Sequence, residues 1–236
     1  MLKGIVLATI VIMAAVVGIT ALVVPPAYHY GIADQVERVL PSVVHISHSS
    51  GWQGSGCIIS EDGLIFTAKH ITDGGGVFTV TLNDGTEYET DLCVEDSKYD
   101  VAFLKISLPD GVVPSYNRLA DISRSRVGDG VFIVGSPFGF DNFNSVSFGI
   151  LSAAQRGLDY GYGWQVTFQI DAMANPGNSG GPVFNMAGEV IGVFVAGVSE
   201  CVNYSVPVAV FADDIETVRM MFNASRFKVR EYGSEI

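Results

Sequence analysis

The sequence predicts an all-β domain assembled from many short strands. Short apolar or alternating runs recur along the chain, and glycine, asparagine and aspartate separate them. Glu61-Asp62-Gly63 and Asn83-Asp84-Gly85 are turn sequences of the hairpin type. The composition, with 48% hydrophobic residues and 27 glycines in 236 residues, fits a packed, turn-rich β protein and argues against disorder. The runs predicted as strands are Val43–Ile46, Cys57–Ile59, Val77–Leu82, Val101–Ile106, Val131–Val134, Gln165–Ile170 and Val190–Val195.

The amino-terminal segment is predicted to anchor the chain in a membrane. Lys3 precedes the run Gly4–Val24, which carries no charge over 21 residues. At about 1.5 Å per residue a helix of this length spans roughly 30 Å, the thickness of a bilayer's hydrocarbon core. We therefore predict a single-pass signal anchor over residues 1–24, embedded through residues 4–24, with a tether over residues 25–32. The rest of the chain is then extracytoplasmic, in the periplasm or outside the cell. A cleaved signal peptide and a secreted protein are the alternative.

Two short helices frame the predicted strands. Ala33–Leu40 is a candidate helix that Pro41 ends. Asp213-Asp214 suits the start of a second helix, predicted over about residues 213–223, because acidic side chains are favourable at a helix N-terminus.

The charge and the cysteine content exclude several classes of function. The net charge is −12, from 13 basic against 25 acidic residues, and the sequence offers no basic patch for nucleic acid. Cys57, Cys93 and Cys201 form no Cys-x-x-Cys pair, and His45 and His48 lack the spacing of a strong metal motif. We therefore predict no metal and no cofactor, and we interpret the cysteines as small buried hydrophobic side chains. A disulfide between Cys201 and either of the other two is an open alternative.

The segment Asn175–Pro182 is the strongest functional signal. It reads Asn-Pro-Gly-Asn-Ser-Gly-Gly-Pro and places Ser179 in a tight turn directly before an apolar run. A nucleophilic serine requires such a turn, because the backbone must expose Oγ and direct N–H groups at the oxygen that becomes negative during acyl transfer. Gly177 tolerates strained φ values. The N–H groups of Gly177 and Ser179 are the predicted oxyanion donors.

A serine nucleophile also requires a general base and a carboxylate that orients the base. His70 closes Thr67-Ala68-Lys69-His70, which follows the apolar, strand-like run Leu64–Phe66. Asp100 opens another strand-like run. The order His70, Asp100, Ser179 is the chymotrypsin-type order and differs from that of subtilisins and α/β-hydrolases.

Residues 33–217 resemble the protease domain of the HtrA/Deg family of trypsin-like serine proteases. By this resemblance His70 is the general base, Asp100 the orienting acid and Ser179 the nucleophile. The segments that carry the resemblance are Leu40–Val44, Gly54–Ile59, Thr67–Ile71, Asp100–Ala102, Gly135–Gly139, Phe148–Ser152, Gln169–Ala172, Gly177–Pro182, Gly188–Val193 and Asn203–Pro207.

The resemblance also implies a fold and a site between two halves. It implies a protease domain over residues 33–236 with two six-stranded antiparallel barrels, the first over about 42–110 and the second over about 125–212. The histidine and the aspartate come from the first barrel and the serine from the second, so the site lies in the cleft between them. Trimers are common in the family. Its members usually carry PDZ domains, but only about thirty residues follow Pro207, so no PDZ domain is expected here.

The primary specificity pocket is expected beside residues 172–175, 193–197 and 204–206. Its lining is apolar with no acidic residue at its base, which favours a small or medium aliphatic substrate side chain. The predicted function is a membrane-anchored serine endopeptidase that hydrolyses accessible segments of unfolded protein. A catalytically idle binding module with the same fold is the alternative. The predicted substrate-binding residues are Ala172, Met173, Ala174, Val193, Phe194, Val195, Ala196 and Val206.

Overall fold

A computed structural model describes residues 31–224 and 229–232 of the chain. The predicted signal anchor, and all of the tether except its last two residues, therefore lie outside the described residues. Within residues 31–224 and 229–232, no helix combines the length and the apolar character that crossing a bilayer requires.

Seven antiparallel strands form the first half of the domain. They are β1 (Val43–His48), β2 (Gln53–Ile58), β3 (Leu64–Thr67), β4 (Phe78–Thr81), β5 (Glu87–Thr90), β6 (Cys93–Asp96) and β7 (Ala102–Lys105). Their order in the sheet is β6-β7-β3-β2-β1-β4-β5. Only residues 91–92 separate β5 from β6, which are the two ends of this order, so a single bent stretch of chain supplies both ends. The first barrel that the family resemblance implies is therefore an open sheet here, with β5 and β6 at the two ends of this order instead of paired with each other.

The second half is a closed barrel of six strands, as predicted. The strands are β8 (Gly130–Gly135), β9 (Ser145–Asp159), β10 (Trp164–Ile170), β11 (Pro182–Asn185), β12 (Val190–Ser199) and β13 (Val202–Pro207). The order around the barrel is β10-β13-β12-β11-β8-β9, so each strand has two neighbours and no edge is left open.

Three helices and one further strand complete the described fold. The helices are α1 (Ile32–Val39), α2 (Lys69–Thr72) and α3 (Ile215–Ala224), and the strand is β14 (Val229–Tyr232). The first and third helices match the two predicted helices. The sequence did not predict β14, which pairs in parallel with β6 and makes the first sheet eight-stranded.

One hydrophobic core joins the two halves. It contains Phe66 and Phe103 from the first sheet, Phe132 and Phe184 from the barrel, and Phe211 from the segment before α3, all fully buried. Burying each such ring stabilises the fold by about 1.5–3 kcal/mol. Because these rings belong to one cluster, the first sheet and the barrel share part of their core.

None of the three cysteines forms a disulfide, and two of them serve packing. All three are free: Cys57 and Cys93 are buried, and Cys201 is exposed. Burial raises the pKa of both buried thiols to about 12, so they stay protonated at neutral pH. The structure excludes both disulfides considered above, and it shows that Cys201 is not the buried side chain that was predicted.

Candidate active site

Strand pairing brings His70 and Asp100 to the same end of the first sheet. β3 and β7 are antiparallel neighbours, and Thr67 at the end of β3 lies opposite Ala102 at the start of β7. His70 lies in α2, directly after β3, and Asp100 lies just before β7. The end of β3 therefore positions His70, and the start of β7 positions Asp100.

The two side chains form a tight hydrogen-bonded pair. His70 Nδ1 lies 2.7 Å from Asp100 Oδ2, and the backbone N–H of His70 donates to Asp100 Oδ1 at 2.9 Å. Asp100 is fully buried, whereas the His70 side chain is 18% exposed. This geometry fixes the plane of the imidazole and leaves Nε2 as the ring nitrogen that can accept a proton.

The loop of Ser179 packs directly against the loop of His70. Gly180 has a φ of +82°, and a Cβ built on it lies 2.2 Å from Thr67 Oγ1 and 2.7 Å from the backbone nitrogen of Ala68. Only glycine fits between these groups. The Ser179 hydroxyl makes no hydrogen bond to His70 in the described part of the chain, so the two loops pack together without a hydrogen bond between these side chains. Such catalytic hydrogen bonds are often long in resting enzymes.

The peptide bond between Pro176 and Gly177 has a defined orientation. The backbone N–H of Phe138 donates to the Pro176 carbonyl at 2.7 Å. Because C=O and N–H point in opposite directions across a trans peptide, the Gly177 N–H is directed away from Phe138. Neither this N–H nor that of Ser179 has a hydrogen-bond partner among the residues that the structure describes. Within the described residues, two unpaired backbone amides therefore lie on the loop of Ser179, which is an arrangement that an oxyanion site requires.

Ser55 links the loop of Ser179 to the first sheet by hydrogen bonds. Its N–H donates to the Ser179 carbonyl at 2.8 Å, and its hydroxyl donates to the Gly177 carbonyl at 2.8 Å. The same hydroxyl accepts the Ser136 N–H at 2.9 Å. Ser55 is fully buried, so these hydrogen bonds are not exposed to competition from solvent.

A cavity of about 340 Å³ opens beside Ser179. No charged side chain contributes to it within the described residues, and Gly197 leaves one wall without a side chain. Behind that wall lies the fully buried Asn203, whose Oδ1 is 2.7 Å from a Cβ built on Gly197 and whose Nδ2 donates to the Ala172 carbonyl at 2.9 Å. The lining residues are Ala174, Asn175, Pro176, Ser179, Phe194, Val195, Gly197, Val198 and Ser199.

A second cavity of about 280 Å³ lies beside His70. Val195 lines both cavities, so the cavity beside the serine and the cavity beside the histidine adjoin each other. Aromatic rings dominate the second cavity. The lining residues are Trp52, His70, Asp73, Tyr160, Tyr162 and Val195.

Comparison with known proteins shows which family the chain resembles. The model of the trypsin-like peptidase domain matches residues 54–193.

Among the relatives of this chain, a "Probable periplasmic serine endoprotease DegP-like" of Rhizobium meliloti is 41% identical over 172 residues, which is 70% of this chain and 33% of that protein. "Serine protease HTRA1A" of Danio rerio is 36% identical over 202 residues, covering 76% of this chain and 40% of that protein. The solved structure "HtrA-type protease AlgW with tripeptide" has a TM-score of 0.71 and 29% identity, and the match covers 80% of this chain and 63% of the other. This chain belongs to the HtrA family of trypsin-like serine proteases. It spans well under half the length of these two curated relatives.

The cavity beside Ser179 has a different lining from the one predicted from the sequence. Ala174, Phe194 and Val195 line it. Ala172, Val193 and Val206 are instead fully buried in the core, Met173 is 52% exposed, and Ala196 packs against the core from a half-buried position. Residues of the predicted segments 172–175 and 193–197 contribute to this cavity, whereas residues 204–206 do not. The direction of each side chain depends on how β12 and β13 lie in the closed barrel.

Sequence reasoning missed several side chains that hold this HtrA-family site together. Ser55 lies in Gly54-Ser55-Gly56, within one of the segments that carry the family resemblance. A small polar residue in a buried strand is a signal from which its role could have been inferred. Tyr160 and Gln165 have no such signal, because their partners lie about sixty residues away in the sequence.

Proposed function

We propose that this chain is an HtrA-type serine endopeptidase that hydrolyses peptide bonds through an acyl-enzyme on Ser179. One observation carries the proposal. The hydrogen-bonded pair of His70 and Asp100 packs against the loop of Ser179, and two unpaired backbone amides lie on that loop.

The proposed reaction follows from these groups. His70 Nε2 takes the proton of Ser179 Oγ as the oxygen attacks the substrate carbonyl, and Asp100 stabilises the imidazolium that forms. The N–H groups of Gly177 and Ser179 bind the oxyanion, and each such donor is worth roughly 3 kcal/mol. His70 then protonates the leaving amine. Water attacks the acyl-enzyme with His70 again as the base, and the carboxylic acid product leaves Ser179.

The cavity beside Ser179 supports a preference for a small or medium aliphatic side chain. Its lining is uncharged, and Asn203 fills the space behind Gly197. The segment 195–197 pairs with β13, while the pairing of β12 with β11 reaches only to Val193. An extended substrate backbone has room to pair with the other edge of 195–197, which suits unfolded rather than native protein.

The location outside the cytoplasm is part of the proposal. Two relatives, from Rhizobium meliloti and Brucella suis, are described as periplasmic. The uncharged run 4–24 supports a membrane anchor that faces the catalytic domain outward. Extraction of cell membranes with alkaline carbonate tests the anchor, since an embedded chain stays in the pellet and a secreted chain does not. A trimer stays a prediction, which sedimentation of the purified chain will check.

The decisive experiment labels the full-length chain with a fluorophosphonate and then supplies unfolded casein. We expect labelling and cleavage by the wild type and neither by Ser179→Ala. Ser123→Ala is the matched control, because Ser123 is exposed and lies outside both cavities.

The two readouts separate the alternatives. Labelling without casein cleavage indicates a restricted protease. Absence of both in a folded wild-type sample contradicts the proposal and favours a catalytically idle binding module. Equal labelling of wild type and Ser179→Ala shows that another residue reacts.

A further inference from the structure

The Asp100 carboxylate has a hydrogen-bond donor besides His70. The Tyr160 hydroxyl donates to Asp100 Oδ2 at 2.7 Å, the same oxygen that lies 2.7 Å from His70 Nδ1. Asp100 is fully buried, and no lysine or arginine of the described residues forms an ion pair with it. A buried charge without a cationic partner depends on hydrogen bonds for its stability, so each donor to this carboxylate matters.

Tyr160 lies in the hairpin formed by β9 and β10, and this hairpin also holds the backbone of Asp100. Gln165, fully buried in β10, accepts the Asp100 N–H at 2.8 Å through Oε1. Its Nε2 donates to the Lys98 carbonyl at 3.1 Å and to the Tyr162 carbonyl at 2.7 Å. The hairpin of β9 and β10 therefore binds Asp100 at its backbone, through Gln165, and at its side chain, through Tyr160.

We propose that Tyr160 is a positioning residue of the reaction, which holds the Asp100 carboxylate in the plane that His70 requires. The inference rests on the proposed function, because it concerns the same triad. During attack the proton of Ser179 Oγ moves to His70 Nε2, and the phenol keeps its own proton throughout. Tyr160 acts through Asp100, because among the described residues its hydroxyl is hydrogen-bonded to that carboxylate and not to His70 or Ser179.

The surroundings of Tyr160 keep it a donor at every working pH. Burial, together with the charge and the hydrogen bond of Asp100, raises the pKa of the Tyr160 phenol far above its usual value. The titratable groups that face it are Asp100, His70 and Tyr162, whose ring centroid lies 5.9 Å away. Asp73 lines the same cavity and accepts the hydrogen bond of the Tyr162 hydroxyl.

Removing the phenol hydroxyl has two expected effects. The carboxylate becomes less well oriented, which lowers kcat. The carboxylate also loses a hydrogen bond that stabilises its negative charge, so it favours the protonated form of His70 more strongly. The acidic limb of the pH profile of kcat/KM therefore moves to higher pH, which a purely structural role does not produce.

The test compares Tyr160→Phe with Tyr162→Phe in the full chain. Tyr162 belongs to the same hairpin, but its hydroxyl contacts Asp73 instead of Asp100. For Tyr160→Phe we expect kcat to fall by about 10- to 100-fold, the range for loss of a hydrogen bond to a charged group, with KM nearly constant. The acidic limb moves to higher pH. For Tyr162→Phe that limb stays where it is in the wild type.

A second variant covers the case in which Tyr160→Phe does not fold. Replacing Tyr160 by 3-fluorotyrosine keeps its shape and makes the phenol a stronger donor, so the acidic limb moves to lower pH. An unmoved limb in both Tyr160 variants overturns the inference, and so does an equal shift in Tyr162→Phe. If the wild type itself neither labels with fluorophosphonate nor cleaves casein, the proposed function fails and this inference falls with it.

Discussion

Replacing Gly177 by alanine tests the oxyanion geometry without altering any triad side chain. Gly177 has a φ of +102°, and a Cβ built on it lies 2.2 Å from the Ser136 carbonyl oxygen and 3.0 Å from the Phe138 nitrogen. That Phe138 N–H is the donor that fixes the Pro176 carbonyl at 2.7 Å. The added methyl group therefore pushes apart the two segments whose hydrogen bond directs the Gly177 N–H toward the site.

Two separate costs follow from this contact. Forcing alanine into the left-handed region costs about 1–3 kcal/mol of folding free energy. Loss of one oxyanion donor costs about 3 kcal/mol in the transition state. At 1.36 kcal/mol per tenfold change in rate, the second cost lowers kcat by about 10²-fold, with little change in KM.

Gly85→Ala is the matched control for the backbone cost. Gly85 has a φ of +85° in a hairpin turn, and a Cβ built on it meets no atom within 4 Å. This variant introduces the backbone strain of a left-handed alanine but leaves the oxyanion site unchanged. The assay is steady-state cleavage of a peptide by both variants, with thermal unfolding measured in parallel. Wild-type kcat in a folded Gly177→Ala protein refutes the reasoning, as does an equal fall in kcat for Gly85→Ala.

Three further predictions test the orienting acid, an ion pair and the cavity wall. Asp100→Asn should lower kcat by about 10⁴-fold, because the amide favours the wrong imidazole tautomer; an almost unchanged kcat in a peptide assay rejects that role. Burial opposes ionisation of Asp62, but hydrogen bonds and charge, chiefly from Lys105 at 2.7 Å, lower its pKa to about 2. Its stabilising effect is therefore complete above its usual pKa of 3.8 and disappears as the pH falls toward 2. The free energy of unfolding in urea should be lower for Asp62→Asn than for the wild type near pH 7, and the two values should converge near pH 2. The exposed neighbour variant Glu61→Gln should have the wild-type value throughout. Asn203→Ala opens space behind the cavity wall, so the ratio of kcat/KM for leucine over valine next to the scissile bond should rise by about tenfold; an unchanged ratio shows that this side chain does not limit the cavity.

The sequence alone was sufficient for the features that depend on neighbouring residues. Alternating apolar runs identified most of the strands, because a half-buried strand needs that pattern. The turn around Gly177 and Ser179 predicted a nucleophile, since an exposed Oγ and backbone amides directed at the reacting oxygen require glycine at nearby positions. The order of His70, Asp100 and Ser179 then indicated the type of protease.

The tertiary structure decided what depends on residues far apart in the chain. It paired Tyr160 with Asp100 and Ser55 with Gly177, across 60 and 122 positions of sequence. It also placed Val193 and Val206 in the core while Val195 reached both cavities. The physical reason is that a strand's pattern shows which residues avoid water, whereas the closure of the barrel and its packing on the first sheet determine which partner each side chain meets.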